Sequence, residues 1–169
     1  LTTADFDADG DIDVAIANIA AMPNEIWLND GTAAFTNSGE NLGSSDSYGI
    51  TSGDMDGDGD IDVVVTNDGA NAKFWRNNGF AGFTDSGESL TSSAYRVDSG
   101  DLDNDGDLDL LFGLNLGFST ADDNKIWLND STGHFNDSGL SIGPEITYNI
   151  ELGALDMDGD LDHAEANRN

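Results

Sequence analysis

Three nine-residue segments of the sequence alternate aspartate with other residues and have a glycine at the sixth place. The first reads D-F-D-A-D-G-D-I-D, and its aspartates and its glycine recur at the same places in the other two. Calcium takes six to eight oxygen ligands at about 2.3 to 2.6 Å, which a flexible acidic loop can supply. Glycine at the sixth place permits the sharp backbone turn that lets the carboxylates converge. The pattern therefore predicts three calcium sites.

Each predicted site uses positions 1, 3, 5, 7 and 9 of its segment. Positions 1, 3 and 5 supply carboxylates, position 7 offers its carbonyl, and position 9 closes the cage. In loop 1 (residues 5–13) the candidate ligands are Asp5, Asp7, Asp9, Asp11 and Asp13. In loop 2 (residues 54–62) they are Asp54, Asp56, Asp58, Asp60 and Asp62. In loop 3 (residues 101–109) they are Asp101, Asp103, Asp105, Asp107 and Asp109.

Two other interpretations of these loops are weaker. An EF-hand loop also begins D-x-D-x-D-G, but it needs a glutamate at position 12 and a helix on each side. Position 12 is Ile16, Val65 or Phe112, each within a β-type run. Solvated turns also collect aspartate and glycine, although three matched copies disfavour that explanation. A fourth segment has Ala154 at its first position, and we expect weak calcium binding there or none.

The acidic segments recur at a nearly constant step along the chain. They start 49, 47 and 53 residues apart, and 19 of the 34 acidic residues fall within them, so the acidity follows the repeat. The aromatic residues keep the same step. One slot holds Trp27, Trp75 and Trp127, a second holds Phe35, Phe83 and Phe135, and a third holds Tyr48, Tyr95 and Tyr148. A period of this size is typical of blade, solenoid or array architectures.

Each repeat is predicted to contain four short strands. In the second repeat they span residues 48–53, 61–66, 73–77 and 83–86, where alternating or β-branched residues predominate. The Asn78-Gly79 pair after the third strand is a strong tight-turn signal. Four antiparallel strands in 45 to 50 residues is about the size of one β-propeller blade.

We therefore predict an all-β chain folded as a β-propeller of four-stranded antiparallel blades, in one repeat domain over residues 1–169. Blade 1 covers about residues 1–41, blade 2 about 47–89, blade 3 about 94–141, and a partial fourth blade about 147–169. Propellers typically close with four to eight blades. Either two copies complete the ring as a homodimer, or the chain is part of a longer protein.

The composition of the chain limits which binding partners are expected. Five Lys and Arg against 34 Asp and Glu give a formal charge of −29, which disfavours nucleic acid and anionic membrane surfaces. No apolar run approaches the roughly 20 residues of a membrane span. Cysteine is absent, so a thiolate metal site is excluded. Cations are the natural partners of such a chain.

The repeat resembles the FG-GAP repeats of integrin alpha chains, and especially their bacterial relatives, the VCBS repeats. The resemblance lies in the acidic loop followed by I-D-V or L-D-L, then I-W-L-N-D or F-W-R-N-N, then F-T-N-S-G or F-T-D-S-G. It implies a β-propeller whose loop between the first and second strands of each blade binds calcium. It also implies a secreted or cell-surface protein, of bacterial type, without fixing one activity.

Other residues suggest where a ligand would bind. The connection from an acidic loop to the next tryptophan is longest in the third repeat, and residues 115–124 lie within it. These residues are either a ligand-binding loop or a neutral insertion. The tyrosines are expected to pack between blades, with a sugar-stacking ring as the alternative. The tryptophans and phenylalanines of the repeat are assigned to inter-blade packing.

The expected function is binding rather than catalysis. The only histidines are His134 and His163, and neither a Ser-His-Asp nor a Cys-His arrangement is present, so we predict no enzyme activity. The first hypothesis is a calcium-binding extracellular module for adhesion or for recognition of a glycan or protein. The alternative is a purely structural calcium-stabilised scaffold, such as a non-catalytic segment of a larger secreted enzyme.

Overall fold

The structure is a computed structural model that describes residues 1–114, 123–143, 146–155 and 160–168. These residues form β-strands joined by turns and loops, and none of them is helical. In the described part of the chain no helix of membrane-spanning length and apolarity is found. The described residues therefore confirm the all-β prediction.

The strands form four separate antiparallel sheets in chain order. Unit 1 contains β1 (Thr2–Ala4), β2 (Asp13–Ile16), β3 (Glu25–Asn29) and β4 (Phe35–Asn37). Unit 2 contains β5 (Ser47–Gly53), β6 (Asp62–Asn67), β7 (Lys73–Arg76) and β8 (Thr84–Asp85). Unit 3 contains β9 (Ala94–Gly100), β10 (Asp109–Leu114), β11 (Asn124–Asn129) and β12 (Phe135–Ile142). Unit 4 contains β13 (Ile146–Gly153) and β14 (Asp162–Arg168).

The sequences of the second strands of units 2 and 3 fit their place inside the sheets. All six residues of β6 and of β10 are buried, and the middle of each strand is a run of apolar residues. Such a strand is covered on both faces, so consecutive units must pack face to face. The four strands predicted for the second repeat match β5 to β8 within one or two residues.

Apolar side chains fill the spaces between consecutive sheets. Between units 1 and 2 the buried cluster includes Phe6, Ile26 and Val63, and between units 2 and 3 it includes Phe74 and Leu110. β6 contributes to both clusters, because alternate side chains of a strand point to opposite faces. The core is therefore a series of layers between units, with no single centre.

Hydrogen bonds join the first strands of successive units in a regular pattern. Thr2 Oγ1 and Ser52 Oγ are 2.8 Å apart, and Thr51 Oγ1 and Ser99 Oγ are 2.9 Å apart. The next step uses the Leu152 amide, which donates to an Asp98 carboxylate oxygen at 2.7 Å. The first strands consequently lie side by side along one edge of the stacked sheets.

The assignment of Phe35 to inter-unit packing needs correction. Phe83 and Phe135 pack edge-to-face on Phe6 and Phe74 of the preceding unit, as predicted for inter-unit packing. Phe35 is 44% exposed, because none of the described units packs against it. Of the tryptophans, Trp75 and Trp127 pack against the two inter-unit clusters.

The tyrosines are less buried than predicted. The rings of Tyr48 and Tyr95 stack 4.4 Å apart at an interplanar angle of 15°, but both residues are only half-buried. Tyr148 is 43% exposed. These side chains therefore line an accessible edge of the stack and are not part of the core. Of the predicted binding loop, residues 115–122 lie outside the described residues, as do residues 156–159 of the fourth acidic segment.

Candidate metal site

The acidic loops share a backbone conformation that wraps the chain around one point. The sixth residue of each loop is a glycine in the left-handed region, with φ of 96° at Gly10, 95° at Gly59 and 99° at Gly106. The fourth residue is also left-handed, at Ala8, Gly57 and Asn104. The sequence pattern indicated the first of these turns. It did not indicate the second, since alanine rarely adopts a positive φ.

The first aspartate of each loop fixes the turn by accepting backbone hydrogen bonds. Asp5 accepts from the amides of Asp9 and Gly10, at 3.1 and 3.0 Å. Asp101 accepts from Asp105 and Gly106, both at 3.1 Å. Asp54 similarly accepts from two amides of loop 2. The side chain at position 1 is therefore held within the loop.

Three carboxylates of each loop come together. In each group one oxygen of every carboxylate lies within 4.8 Å of the others. The groups are Asp5, Asp7 and Asp13; Asp54, Asp56 and Asp58; and Asp101, Asp103 and Asp109. Positions 1 and 3 are common to all three loops, whereas the third member is position 9 in loops 1 and 3 and position 5 in loop 2. The structure therefore brings together part of each predicted ligand set.

The ninth aspartate connects its loop to the third strand of its own unit. Asp62 is fully buried and accepts from the Met55 amide at 3.1 Å and from the Asn77 amide at 2.8 Å. Asp13 and Asp109 make the same pair of bonds in units 1 and 3. In unit 4 the Leu155 amide donates to Asp162, so this contact recurs there too.

Burial raises the pKa of two ninth-position carboxyls, Asp62 and Asp109. Burial is the main cause that raises the pKa of Asp62 to about 7, and the charges of Asp56 and Asp58 act in the same direction. The two backbone amides that donate to Asp62 oppose this rise. Burial likewise raises the pKa of Asp109. Proximity of like charges in a low-dielectric site favours the protonated form, and a bound cation would reverse that preference.

The fifth and seventh aspartates bond within the loop region. At position 5, Asp9, Asp58 and Asp105 each accept from the amide two residues later. At position 7 the side chain lies against the turn between the third and fourth strands, where Ser131 Oγ donates to Asp107. The seventh carboxylates were predicted as ligand positions through their carbonyls, and their side chains are not among the clustered groups.

The donor set of each cluster suits a hard cation. All clustered groups are carboxylates, the ligands that calcium and magnesium prefer over nitrogen and sulfur. In loop 2 the Asp56 Oδ1 atom is buried and accepts no hydrogen bond from the described residues, so its lone pairs are available to coordinate a cation. A flexible loop of this kind matches calcium better than magnesium, which demands near-octahedral geometry.

In units 2 and 3 the asparagine at the end of the third strand binds the loop of the preceding unit. Asn77 Nδ2 donates to the Phe6 carbonyl in loop 1 at 2.8 Å, and Asn129 Nδ2 donates to the Met55 carbonyl in loop 2 at 2.7 Å. Each of these amide groups also bonds its own unit's loop, at the carbonyls of Ile61 and Leu108. Sequence reasoning assigned no contact to these asparagines, although their fixed slot after the tryptophan in each repeat marked them.

Loop 2 differs from the others because a cation of the protein lies beside it. Arg76 Nη1 is 2.5 Å from Asp56 Oδ2, and the Asp56 side chain is only 9% exposed. The corresponding residues of units 1 and 3 are Leu28 and Leu128.

The repeats match a known family. A family model described as the FG-GAP-like repeat matches residues 5–65 and again residues 54–112, which together cover more than half of the chain. The chain therefore belongs to the FG-GAP-like repeat family, as the motifs predicted. No curated protein gives a significant match to it.

Proposed function

We propose that this chain is a calcium-stabilised β-propeller module in which each ion holds one unit to the next. The observation that carries the proposal is the shared use of each loop. The same loop that gathers three carboxylates also offers a carbonyl to an asparagine of the following unit. An ion that orders the loop therefore also orders the contact between units.

The packing of the units supports a propeller. The first strands lie side by side, the sheets stack face to face, and the second strands are covered on both faces. A propeller blade is a four-stranded antiparallel sheet whose first strand lies nearest the central axis. On this proposal the ring closes with further blades, supplied by a second copy or by a longer chain. Solution mass in calcium distinguishes the two, since a compact monomer excludes the homodimer.

Removal of calcium tests the metal role directly. We expect excess chelator to lower the melting temperature by roughly 10 °C or more, because a ligand at 100 times its Kd adds about 2.7 kcal/mol per site. Readdition of calcium should restore the melting temperature, with magnesium at the same concentration as the control. An unchanged melting temperature in chelator would contradict the proposal.

A second candidate function is recognition of a glycan or protein outside the cell, as the family resemblance implied. It is favoured by a groove of about 400 Å³ along the first strands, lined by Tyr48, Arg96 and Asp98 among others. A glycan array probed with and without calcium tests it, with Tyr48→Ala as the groove variant. A blank array together with a calcium-dependent melting temperature would leave the scaffold role alone.

A further inference from the structure

The side chain of Arg76 is directed at loop 2 by three contacts. Its Nη1 atom meets Asp56, its Nη2 atom donates to the Thr132 carbonyl of unit 3 at 2.9 Å, and its guanidinium lies 5.3 Å from the centre of the Phe74 ring. These contacts come from a strand, a turn and a loop in two units. The guanidinium is therefore held in one place and does not move freely in solvent.

The position of Arg76 gives loop 2 a permanent positive charge. Asp56 belongs to the cluster of three carboxylates in that loop, and Arg76 neutralises one of them. Loops 1 and 3 have no corresponding charge, because Leu28 and Leu128 occupy the equivalent places. The chain as a whole has only five Lys and Arg residues, so a positive charge beside an acidic loop is unusual for this protein.

We propose that Arg76 is a built-in counter-ion of loop 2, which makes this loop the weakest of the three calcium sites and the least dependent on calcium for its order. This inference rests on the proposed calcium function. It divides the three proposed sites into a weaker one, in loop 2, and two stronger ones, in loops 1 and 3. A positive charge about 5 Å from a divalent ion opposes binding even in a water-like dielectric. We expect the difference in calcium affinity between loop 2 and the other loops to be about tenfold or more.

Arg76 also contributes to the packing of unit 3 on unit 2, through the turn between β11 and β12. A Cβ at Gly133 would lie 2.7 Å from Phe74, 3.0 Å from Asp56 and 3.1 Å from Arg76 Nη2, so this turn packs closely over the ion pair. Together with the Thr132 bond, Arg76 joins units 2 and 3 without any ion. The joint between units 2 and 3 should therefore survive chelation better than the joint between units 1 and 2.

Amide resonances of the sixth-position glycines can test the inference loop by loop. In ¹⁵N-labelled full chain titrated with calcium, Gly10 and Gly106 should respond at concentrations at least about tenfold lower than Gly59. Arg76→Gln removes the charge but keeps a donor for Thr132, and it should bring the Gly59 midpoint close to the other two. Lys73→Gln is the matched control, since Lys73 lies on the same strand but pairs with Asp85, outside the loop.

A transplanted charge provides an independent variant if Arg76→Gln folds poorly. Leu28→Arg places a guanidinium beside loop 1 and should raise the Gly10 midpoint while leaving Gly106 unchanged. The inference is overturned if Gly59 responds together with Gly10 and Gly106 in the wild type, or if neither variant moves the midpoint of its own loop. Failure of all three glycines to respond to calcium would instead refute the proposed calcium function itself.

Discussion

At the scale of single residues, the loops show that one aspartate can serve the fold and the site together. Asp13 and Asp109 belong to the carboxylate clusters of their loops, and each also binds two backbone amides. The bonds to strand and loop orient the carboxylate before any ion arrives. This preorganisation lowers the entropy that calcium binding would otherwise have to offset.

One titratable pair links the turn of unit 3 to unit 2 and gives a pH prediction. The hydrogen bond and charge of Glu88, 2.9 Å from His134 Nδ1, raise the pKa of that histidine above its ordinary value. The charged pair therefore stabilises the fold fully below the unfolded-state pKa of about 6.5, and this contribution is lost as pH rises through the folded-state pKa. NMR titration should show the pKa of His134 falling towards the ordinary value in Glu88→Gln, with Glu40→Gln as control. An unshifted titration would contradict the pairing.

Sequence reasoning recovered the loops because their chemistry is local. Aspartate spacing and the sixth-position glycine depend only on near neighbours, so both could be predicted. The left-handed Ala8 could not, since alanine carries no such signal and its turn is imposed by the surrounding bonds. The contact between Arg76 and Asp56 could not either, because it requires knowing which strand end faces which loop.

At the scale of strands, close approach between units depends on a glycine. A Cβ on Gly49 in β5 would lie 2.9 Å from both the Tyr95 carbonyl oxygen and the Arg96 Cα of β9. Backbone atoms cannot easily yield, so Gly49→Ala should destabilise the protein by about 1 to 3 kcal/mol in urea unfolding. Gly153→Ala is the matched control on a first strand, because none of the described residues has an atom within 4 Å of its added Cβ. Equal stability of the two variants would rule out the tight contact.

The asparagine contact between units can be tested against the equivalent asparagine of unit 1, which among the described residues bonds only within its own unit. Asn77→Ala removes bonds to the carbonyls of Phe6 and Ile61 and the bond that its Oδ1 accepts from the Asn78 amide, whereas Asn29→Ala removes a single bond, to Ile12, within its own unit. Loss of a buried hydrogen bond that leaves a polar group unpaired lowers the free energy of unfolding by about 1 to 3 kcal/mol. Asn77→Ala should therefore lower the free energy of unfolding by roughly that much more than Asn29→Ala. Equal losses would mean that the bond between units contributes little.

The strands could be predicted from the sequence. The exposure of side chains on the outer sheets of the stack could not. The period-two pattern and the turn signals identified β5 to β8 within one or two residues. Phe35 has the same sequence context as Phe83 and Phe135, but among the described residues only the latter two pack on a phenylalanine of a neighbouring unit. Burial in a repeat protein depends on the neighbouring unit, which local sequence does not encode.

At the scale of the whole molecule, the charge of −29 opposes compactness. Repulsion among exposed carboxylates is screened when the Debye length falls from about 30 Å at 0.01 M to about 3 Å at 1 M salt. With chelator present, the melting temperature should therefore rise as sodium chloride increases over that range. The same titration in saturating calcium is the control and should give a smaller rise. A melting temperature that falls with salt in chelator would contradict this account.

Several contacts between units tie a loop to the unit that follows it. Asn77 and Phe83 of unit 2 reach back to Phe6 in the loop of unit 1, and Asn129 of unit 3 reaches back to the Met55 carbonyl in loop 2. These contacts give the array a polarity. Deletion of unit 3 would remove the Asn129 bond to loop 2 and the Thr132 bond to Arg76, whereas deletion of unit 1 would leave both bonds in place.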